Sequence, residues 1–326
     1  MTEPLPETSP ARPTVVVALG GNALIRRGEP LELANQARAA RDAARLLAKA
    51  SLDHRLVTTH GNGPQVGLLA LMSEAYTEVE PFPLDVLDAQ SAGQIGYVLE
   101  IQLDNFVDHQ ETVVVITRVV VDANDPAFAS PTKFIGPVYD EHQAKEVAKR
   151  HGWTVKPDGA KWRRVVPSPE PVRIVQIGAI RSLVGSGFLV VCAGGGGVPV
   201  VEDADGHQRG VEAIIDKDLA SSLLAVDLGV DMLVLATDVE AVYDKFGTPQ
   251  QRPIRRATPL GLRALPFPAG SMGPKVEAAC RFVERTTRPA AIGSLDQLTA
   301  LLAGEAGTQV RADGPAIEYE PERNGR

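Results

Sequence analysis

Short runs of consecutive apolar residues, many of them β-branched, alternate along this chain with longer stretches whose apolar positions recur at spacings of three and four. The first texture fits strands covered on both faces; the second fits amphipathic helices. The run 14–19, TVVVAL, predicts a buried strand that ends at Gly20-Gly21-Asn22. Leu33, Ala37, Ala40, Ala44 and Leu47 then predict a helix over 31–50. A strand over 55–59 closes at His60-Gly61-Asn62-Gly63-Pro64, with Pro64 in the first turn of the next helix, where its missing N–H costs nothing. A helix over 88–106 carries Gly93 and Gly96, and the run TVVVITRVVV at 112–121 predicts one strong strand. Later come a helix over 174–184, a strand over 188–191, and four glycines from Gly194 to Gly197. Asp216, Lys217 and Asp218 open an apolar-periodic helix, and a strand over 232–237 leads into Asp238-Val239-Glu240-Ala241-Val242-Tyr243. Residues 250–256 are polar and loop-like. Gly270 to Lys275 opens a further helix with Pro274 in its first turn, and the last unit is a strand over 290–292, a helix over 295–302 and a strand over 308–311. Strand, glycine loop and helix in repeated succession predict a parallel sheet with helices on both faces, and ligands at the carboxyl ends of its strands.

One region breaks that rhythm. Residues 122–172 are proline-rich, hold both tryptophans and a basic cluster of Lys161, Arg163 and Arg164, and contain one short helical pattern over 141–150. They predict an inserted subdomain or lid over an active-site edge. Lys133, in the loop PTKFIGP, is its most suggestive residue, although a lone loop lysine is more often simply solvated. The ends differ again: residues 1–13, with four prolines, predict a disordered extension, and 313–326 a loose acidic tail, leaving one domain over 14–312.

Composition removes whole classes of function. The chain has 326 residues, 44% of them hydrophobic and 23% charged, so it can bury a large core. Its net charge of −8, without any basic stripe, argues against nucleic acid as a partner. No apolar run approaches the ~18 residues of a membrane span, and no secretory leader is apparent, so a cytoplasmic protein off the membrane is expected. Cys192 and Cys280 both sit in apolar periodic segments and read as core residues, not as a disulfide or metal pair. The six histidines show no metal-ligand spacing, and His60 reads as structural.

The remaining chemistry lies in the strand-end glycines. Glycine loops let backbone N–H groups approach an anion closely, and a lysine at a helix mouth adds charge. Neither G-x-x-x-x-G-K-[ST], nor G-x-G-x-x-G with its distal acid, nor G-x-S-x-G is present. What is present is four glycine loops, the lysines Lys133, Lys217 and Lys275, and the acid Asp218. Phosphoryl transfer is catalysed mostly by positioning and charge neutralisation, which this set of parts can supply.

These residues also carry a family resemblance. VVVALGGNAL at 15–24, HGNGPQVG at 60–67, PLDVLDAQSAGQIGY at 83–97 and PTKFIGP at 131–137 resemble the carbamate kinases of the amino acid kinase family. So do WRRVVPSPEP at 162–171, CAGGGGVPVV at 192–201, GVEAIIDKDLAS at 210–221 and GSMGPKVEAA at 270–279. Unlike acetylglutamate-type relatives, the first strand has no lysine before the paired glycines, and one departure stands out: Ser91-Ala92 replaces residues that are often glutamine or threonine-glutamine. The resemblance implies a three-layer αβα fold with an open, mostly parallel sheet and a protruding subdomain. It implies a homodimer that moves a phosphoryl group reversibly between ATP and carbamate, giving ADP and carbamoyl phosphate. Mg²⁺ would be carried on the nucleotide phosphates, and ATP would be made at the end of arginine breakdown. On this chain it implies that Gly20, Gly21, Asn22, Gly61, Asn62, Gly63, Gly195 and Gly196 hold the phosphoryl group and the small acid. Lys217 and Lys275 would neutralise charge, Asp218 would orient them, and Lys133 would arrive from the subdomain. Thr237, Asp238, Val239, Tyr243 and Met272 would line the nucleotide pocket. Two alternatives stay open: a relative acting on another small acid or phosphonate, and a non-catalytic nucleotide-binding homologue.

Overall fold

Residues 12–21, 24–26, 28–268 and 270–321 are described by a computed structural model. The apolar run of Thr14–Leu19 forms a strand near the middle of a ten-stranded sheet. On one side of it the order runs Met232–Thr237, Ala290–Ser294, Thr308–Val310, Arg252–Ala257 and Val242–Asp244; on the other it runs Arg55–His60, Leu189–Cys192 and Thr112–Val115. Ile317–Tyr319 adds a tenth strand beside Arg252–Ala257. The central strands pair in parallel, and antiparallel pairing is confined to the edge around 242–257, 290–310 and 317–319.

Alternation along the central strands distributes their side chains to two cores. Val16, Ala18, Leu233 and Leu235 pack with helices Ile177–Gly185, Lys217–Leu228 and Met272–Thr286. Val15, Val17, Leu19 and Val234 pack on the other face with helices Leu33–Ser51, Leu84–Asp104 and Leu298–Leu302. The result is a three-layer αβα sandwich, built because the central strands send apolar side chains to both faces of the sheet and must be covered twice. Cys192 and Cys280 are free and buried in the first of these cores, and burial pushes the Cys192 thiol up to about 12.

Five sequence expectations are corrected. TVVVITRVVV is two strands in two sheets: Thr112–Val115 joins the main sheet, and Arg118–Val121 joins a four-stranded sheet with Pro171–Ile174, Val198–Glu202 and Gln208–Gly210. The break falls at Thr117, whose hydroxyl donates to the Val115 carbonyl at 2.8 Å and accepts from Ala193 N–H at 3.0 Å, ending the ladder. Ile174 therefore closes a strand, and the helix starts at Ile177. The polar segment near 250 contains the strand Arg252–Ala257, and the expected acidic tail contains Ile317–Tyr319; each hydrogen-bonds the other as edge structure, where charged side chains face water. Lys133 is not in a loop but opens strand Lys133–Tyr139 of a three-stranded antiparallel sheet with Lys161–Val166 and Thr154–Asp158, covered by helix Glu141–His151. Most of the expected N-terminal extension lies outside the described residues.

The inserted sheet is seated on the main body by a glycine pair. A Cβ placed on Gly67, in helix Gly63–Ala75, would lie 2.5 Å from Gly136 Cα. Around that contact Val66, Ala70, Leu84, Leu87, Ile135 and Val166 form a third, smaller apolar cluster. Arg164 of the inserted sheet stacks on Trp153 at 4.1 Å and reaches Glu212 of the body at 3.5 Å.

Candidate active site

Helix Lys217–Leu228 begins at the crossing of three loops. Asp216 caps it, its Oδ1 accepting from the backbone N–H of Asp218 at 2.9 Å and of Leu219 at 3.3 Å. Acid at a helix N-terminus is favoured by the orphan N–H groups there. The first helical residue, Lys217, donates to Asp218 Oδ1 at 2.6 Å, and Lys275, from the first turn of Met272–Thr286, donates to Asp218 Oδ2 at 2.9 Å. Ser222 Oγ donates to the Ala278 carbonyl at 2.8 Å and fixes the two helices against each other. Lys133 spans from the inserted sheet to Asp216 Oδ2, 2.7 Å away. Three ammonium groups and two carboxylates thus interlock at one helix mouth.

The electrostatics follow from burial and pairing. Asp218 is 4% exposed. Burial alone would raise its carboxyl, but the ammonium groups of Lys217 and Lys275 hold it far below the ordinary carboxylate range. Burial lowers Lys217 and the Lys275 charge lowers it further, against the pull of Asp218. For Lys275 burial is outweighed by Asp218 and Asp216, leaving it above its ordinary value. Asp218 is therefore a fixed anion that orients two cations, and it has no proton to exchange near neutral pH.

The glycine loops converge on this cluster. Gly61 lies against the Lys217 chain, since a Cβ there would meet Lys217 Cδ at 3.4 Å. Gly196, with φ +103, packs against the Ile215 carbonyl just before Asp216, and its N–H donates to the Ala193 carbonyl at 3.1 Å. Gly195, with φ +72, rests on the side chains of Asn62 and Asp88. His60 is buried and neutral: burial takes it down to about 4, and its Nδ1 donates to the Gly61 carbonyl at 3.1 Å. Gly63 opens helix Gly63–Ala75 after Asn62 as its cap residue.

Gly20 stands where Thr14–Leu19 ends and is pressed against the Ala236 carbonyl. With Thr237 and Asp238 it lines a cavity of about 430 Å³ on the side of helix Leu33–Ser51, where Arg26, Arg45 and Asp296 also face it. Gly21 follows Gly20, and Asn22 lies outside the described residues. Tyr243 is not beside Thr237 in the sheet: three strands separate theirs, and the segment from Val239 crosses the end of Ala290–Ser294, with Glu240 O against Gly293. Met272 opens the helix that carries Lys275 and packs partly against the core. Sequence reasoning took Asp216 only as part of a helix opening and passed over Asp88. Asp88 was findable: it sits four residues after Leu84 and four before Ala92, on the buried stripe of its helix.

An αβα sheet whose strand-end glycine loops meet interlocked lysines and aspartates defines a protein that handles an anionic group, of the phosphoryl-transfer class. The comparisons are specific. The amino acid kinase family profile matches residues 13–294. A carbamate kinase of Rhizobium meliloti is 49% identical over 94% of this chain and 96% of its own, and one of Haemophilus influenzae is 48% identical over 94% and 99%. The carbamate kinase of Giardia lamblia bound to AMP-PNP superposes with a TM-score of 0.86 at 38% identity, covering 93% of this chain and 99% of that one. The chain belongs to the amino acid kinase family.

Proposed function

We propose that this chain is a carbamate kinase, transferring a phosphoryl group reversibly between ATP and carbamate to give ADP and carbamoyl phosphate. The observation that carries the reading is the bridge Lys217–Asp218–Lys275 with Lys133 held on Asp216 beside it. The carbamate oxygen attacks the terminal phosphorus as the bond to the ADP oxygen breaks; that oxygen is already anionic, so no general base is needed. Lys217 and Lys275 neutralise charge spreading over the phosphoryl oxygens, and Asp218 orients them. Lys133 adds a third positive charge from the inserted sheet. Gly20, Gly21, Asn22, Gly61, Asn62, Gly63, Gly195 and Gly196 hold the phosphoryl group and the carbamate. Thr237, Asp238, Val239, Tyr243 and Met272 line the nucleotide site; that a nucleotide binds at all is supported by the Giardia lamblia relative, which is bound to AMP-PNP.

Asp216 and Asp218 are both engaged by lysines, so this cluster offers no carboxylate to a metal. Mg²⁺ fits as an ion carried on the nucleotide phosphates, where it would neutralise charge as the phosphoryl group moves. A homodimer is supported by the exposed Leu68, Leu71 and Met72 of helix Gly63–Ala75 and Tyr97 and Ile101 of Leu84–Asp104. No helix among the described residues is long and apolar enough to cross a membrane, and we place the enzyme in the cytoplasm, running toward ATP in arginine breakdown.

The test is ATP formation from ADP, Mg²⁺ and carbamoyl phosphate, with acetyl phosphate as the control donor. Selective turnover of carbamoyl phosphate is expected. Equal use of acetyl phosphate, or inactivity in a protein that still binds ADP, overturns the substrate assignment.

A further inference from the structure

Among the described residues two carboxyl groups are buried, and they are treated in opposite ways. Asp218 has a lysine on each oxygen. Asp88, 0% exposed, has none: its Oδ1 accepts from Asn62 Nδ2, and its Oδ2 has no hydrogen-bond partner. A buried carboxylate with one oxygen unmet is costly, and such a group is retained where it has work to do.

What Asp88 touches suggests that work. The two amide protons of Asn62 are both committed, one to Asp88 Oδ1 and one to Ser91 Oγ at 2.8 Å, while Ser91 Oγ donates to the Asp88 carbonyl at 2.9 Å. Asn62 is thereby locked in one orientation at the tip of the loop 61–63. The same pair forms the floor under Gly195, where a Cβ would lie 2.6 Å from Asp88 Oδ1. One carboxyl group therefore sets both glycine loops that flank Lys217.

We infer that Asp88 is a positioning residue for phosphoryl transfer, its ionised carboxylate fixing Asn62 and, through it, the backbone N–H groups of the loop 61–63. The inference rests on the phosphoryl-transfer reading above. Burial raises Asp88 to about 7, with Asn62 lowering it and Asp85, one turn earlier, raising it. The other groups packed around it do not compete. His60, against Gly194, is neutral, and Lys217 lies against Gly61. Protonation leaves Asn62 with a weaker acceptor, so the loop is held less firmly as pH falls through neutrality.

Two measurements test this. In the first, kcat/KM for carbamoyl phosphate is followed between pH 5.5 and 9 in wild type and Asp88→Asn. The variant keeps an acceptor for Asn62 but cannot titrate. We expect wild type to lose about fivefold from the alkaline to the acid side, the difference between a charge-assisted and a neutral hydrogen bond. The ratio of variant to wild type should then change with pH, with a midpoint near 7. Superimposable profiles overturn the inference, even if the variant melts lower. In the second, the side-chain amide resonances of Asn62 are followed by NMR in wild-type protein. A pH-dependent shift with a midpoint near 7, absent in Asp88→Asn, supports the coupling, and static resonances overturn it. Because this readout needs no turnover, it stands even if carbamoyl phosphate proves not to be the substrate; that result sinks the substrate reading alone.

Discussion

Asp218→Asn separates the charge-bridge reading from a merely structural one. The substitution is nearly isosteric and removes one negative charge from between Lys217 Nζ at 2.6 Å and Lys275 Nζ at 2.9 Å. Removing one partner of a buried ion pair costs about 3–5 kcal/mol, because the other charge stays buried without compensation. Lysine has an escape that caps this cost, since it can give up its proton. From an ordinary value of 10.5, neutralising Lys217 at pH 8 costs about 3.4 kcal/mol, at 1.36 kcal/mol per unit. The penalty in the variant therefore cannot greatly exceed about 3 kcal/mol at pH 8, and it shrinks as pH rises toward 10.5.

The sign follows from linkage. Lys217 already lies below its ordinary value, and losing Asp218 lowers it further, so the unfolded chain binds more protons across that window and the variant gains stability relative to wild type with rising pH. Turnover moves the other way. A neutral Lys217 cannot balance phosphoryl charge, and a fall of about 10²–10³-fold is expected, with an alkaline limb that starts earlier than in wild type. Urea melts at pH 7.5 and 10, beside ATP formation across the same range, measure both effects. A variant within tenfold of wild-type turnover, with a stability deficit unchanged by pH, would refute the argument.

Other perturbations probe other links. Lys133→Ala should lower kcat about 10²-fold if the third charge acts on the transition state; a change confined to the KM for nucleotide would assign it to ground-state binding. Gly67→Val drives a side chain into Gly136 Cα, so the inserted sheet should lift from helix Gly63–Ala75 at a cost of about 1–3 kcal/mol. Limited proteolysis should then cut within 133–166 faster while the main sheet stays protected; an unchanged pattern would show the contact is not what seats the subdomain. Asp88, at about 7 against an ordinary 3.8, makes wild type lose stability as pH rises from about 4 to about 7, by at most about 4 kcal/mol, because the folded state holds the extra proton. Asp88→Asn should flatten that slope in denaturant melts, and an unaltered slope would place the titration elsewhere.

The legible parts of the sequence were those whose structure is decided locally. Thr14–Leu19 and Met232–Thr237 match the expected boundaries because an all-apolar run has no alternative to a strand covered on both faces. The helix mouth at Lys217 was visible in the D-K-D spacing, and that at Lys275 in Gly-Pro-Lys. Where the chain must choose between sheets, local pattern is silent. The β-branched run 112–121 is uniform, and only Ala193, brought in by a distant strand, tells Thr117 to end one ladder. Arg252–Ala257 and Ile317–Tyr319, near the margin of the sheet, carry charge and so imitate loops. The pairing of Lys133 with Asp216, 83 residues apart, is a tertiary fact that no spacing encodes.

That pairing links the subdomain to the chemistry. Asp216 divides its oxygens: Oδ1 caps the helix that begins at Lys217, and Oδ2 takes Lys133. Three ammonium groups near a helix N-terminus oppose the local dipole, and Asp216 and Asp218 make the arrangement tolerable. Each ammonium has three N–H donors, so one given to an aspartate leaves donors for phosphoryl oxygens, and the lysines need not let go of the protein to bind an anion. Were the inserted sheet to swing away, Lys133 would leave with it. Asp216 would keep its capping bonds, but the cluster would lose one positive charge of three. Seating of the subdomain on the Gly67–Gly136 contact would then also complete the proposed anion site, because the same sheet carries Lys133 to Asp216.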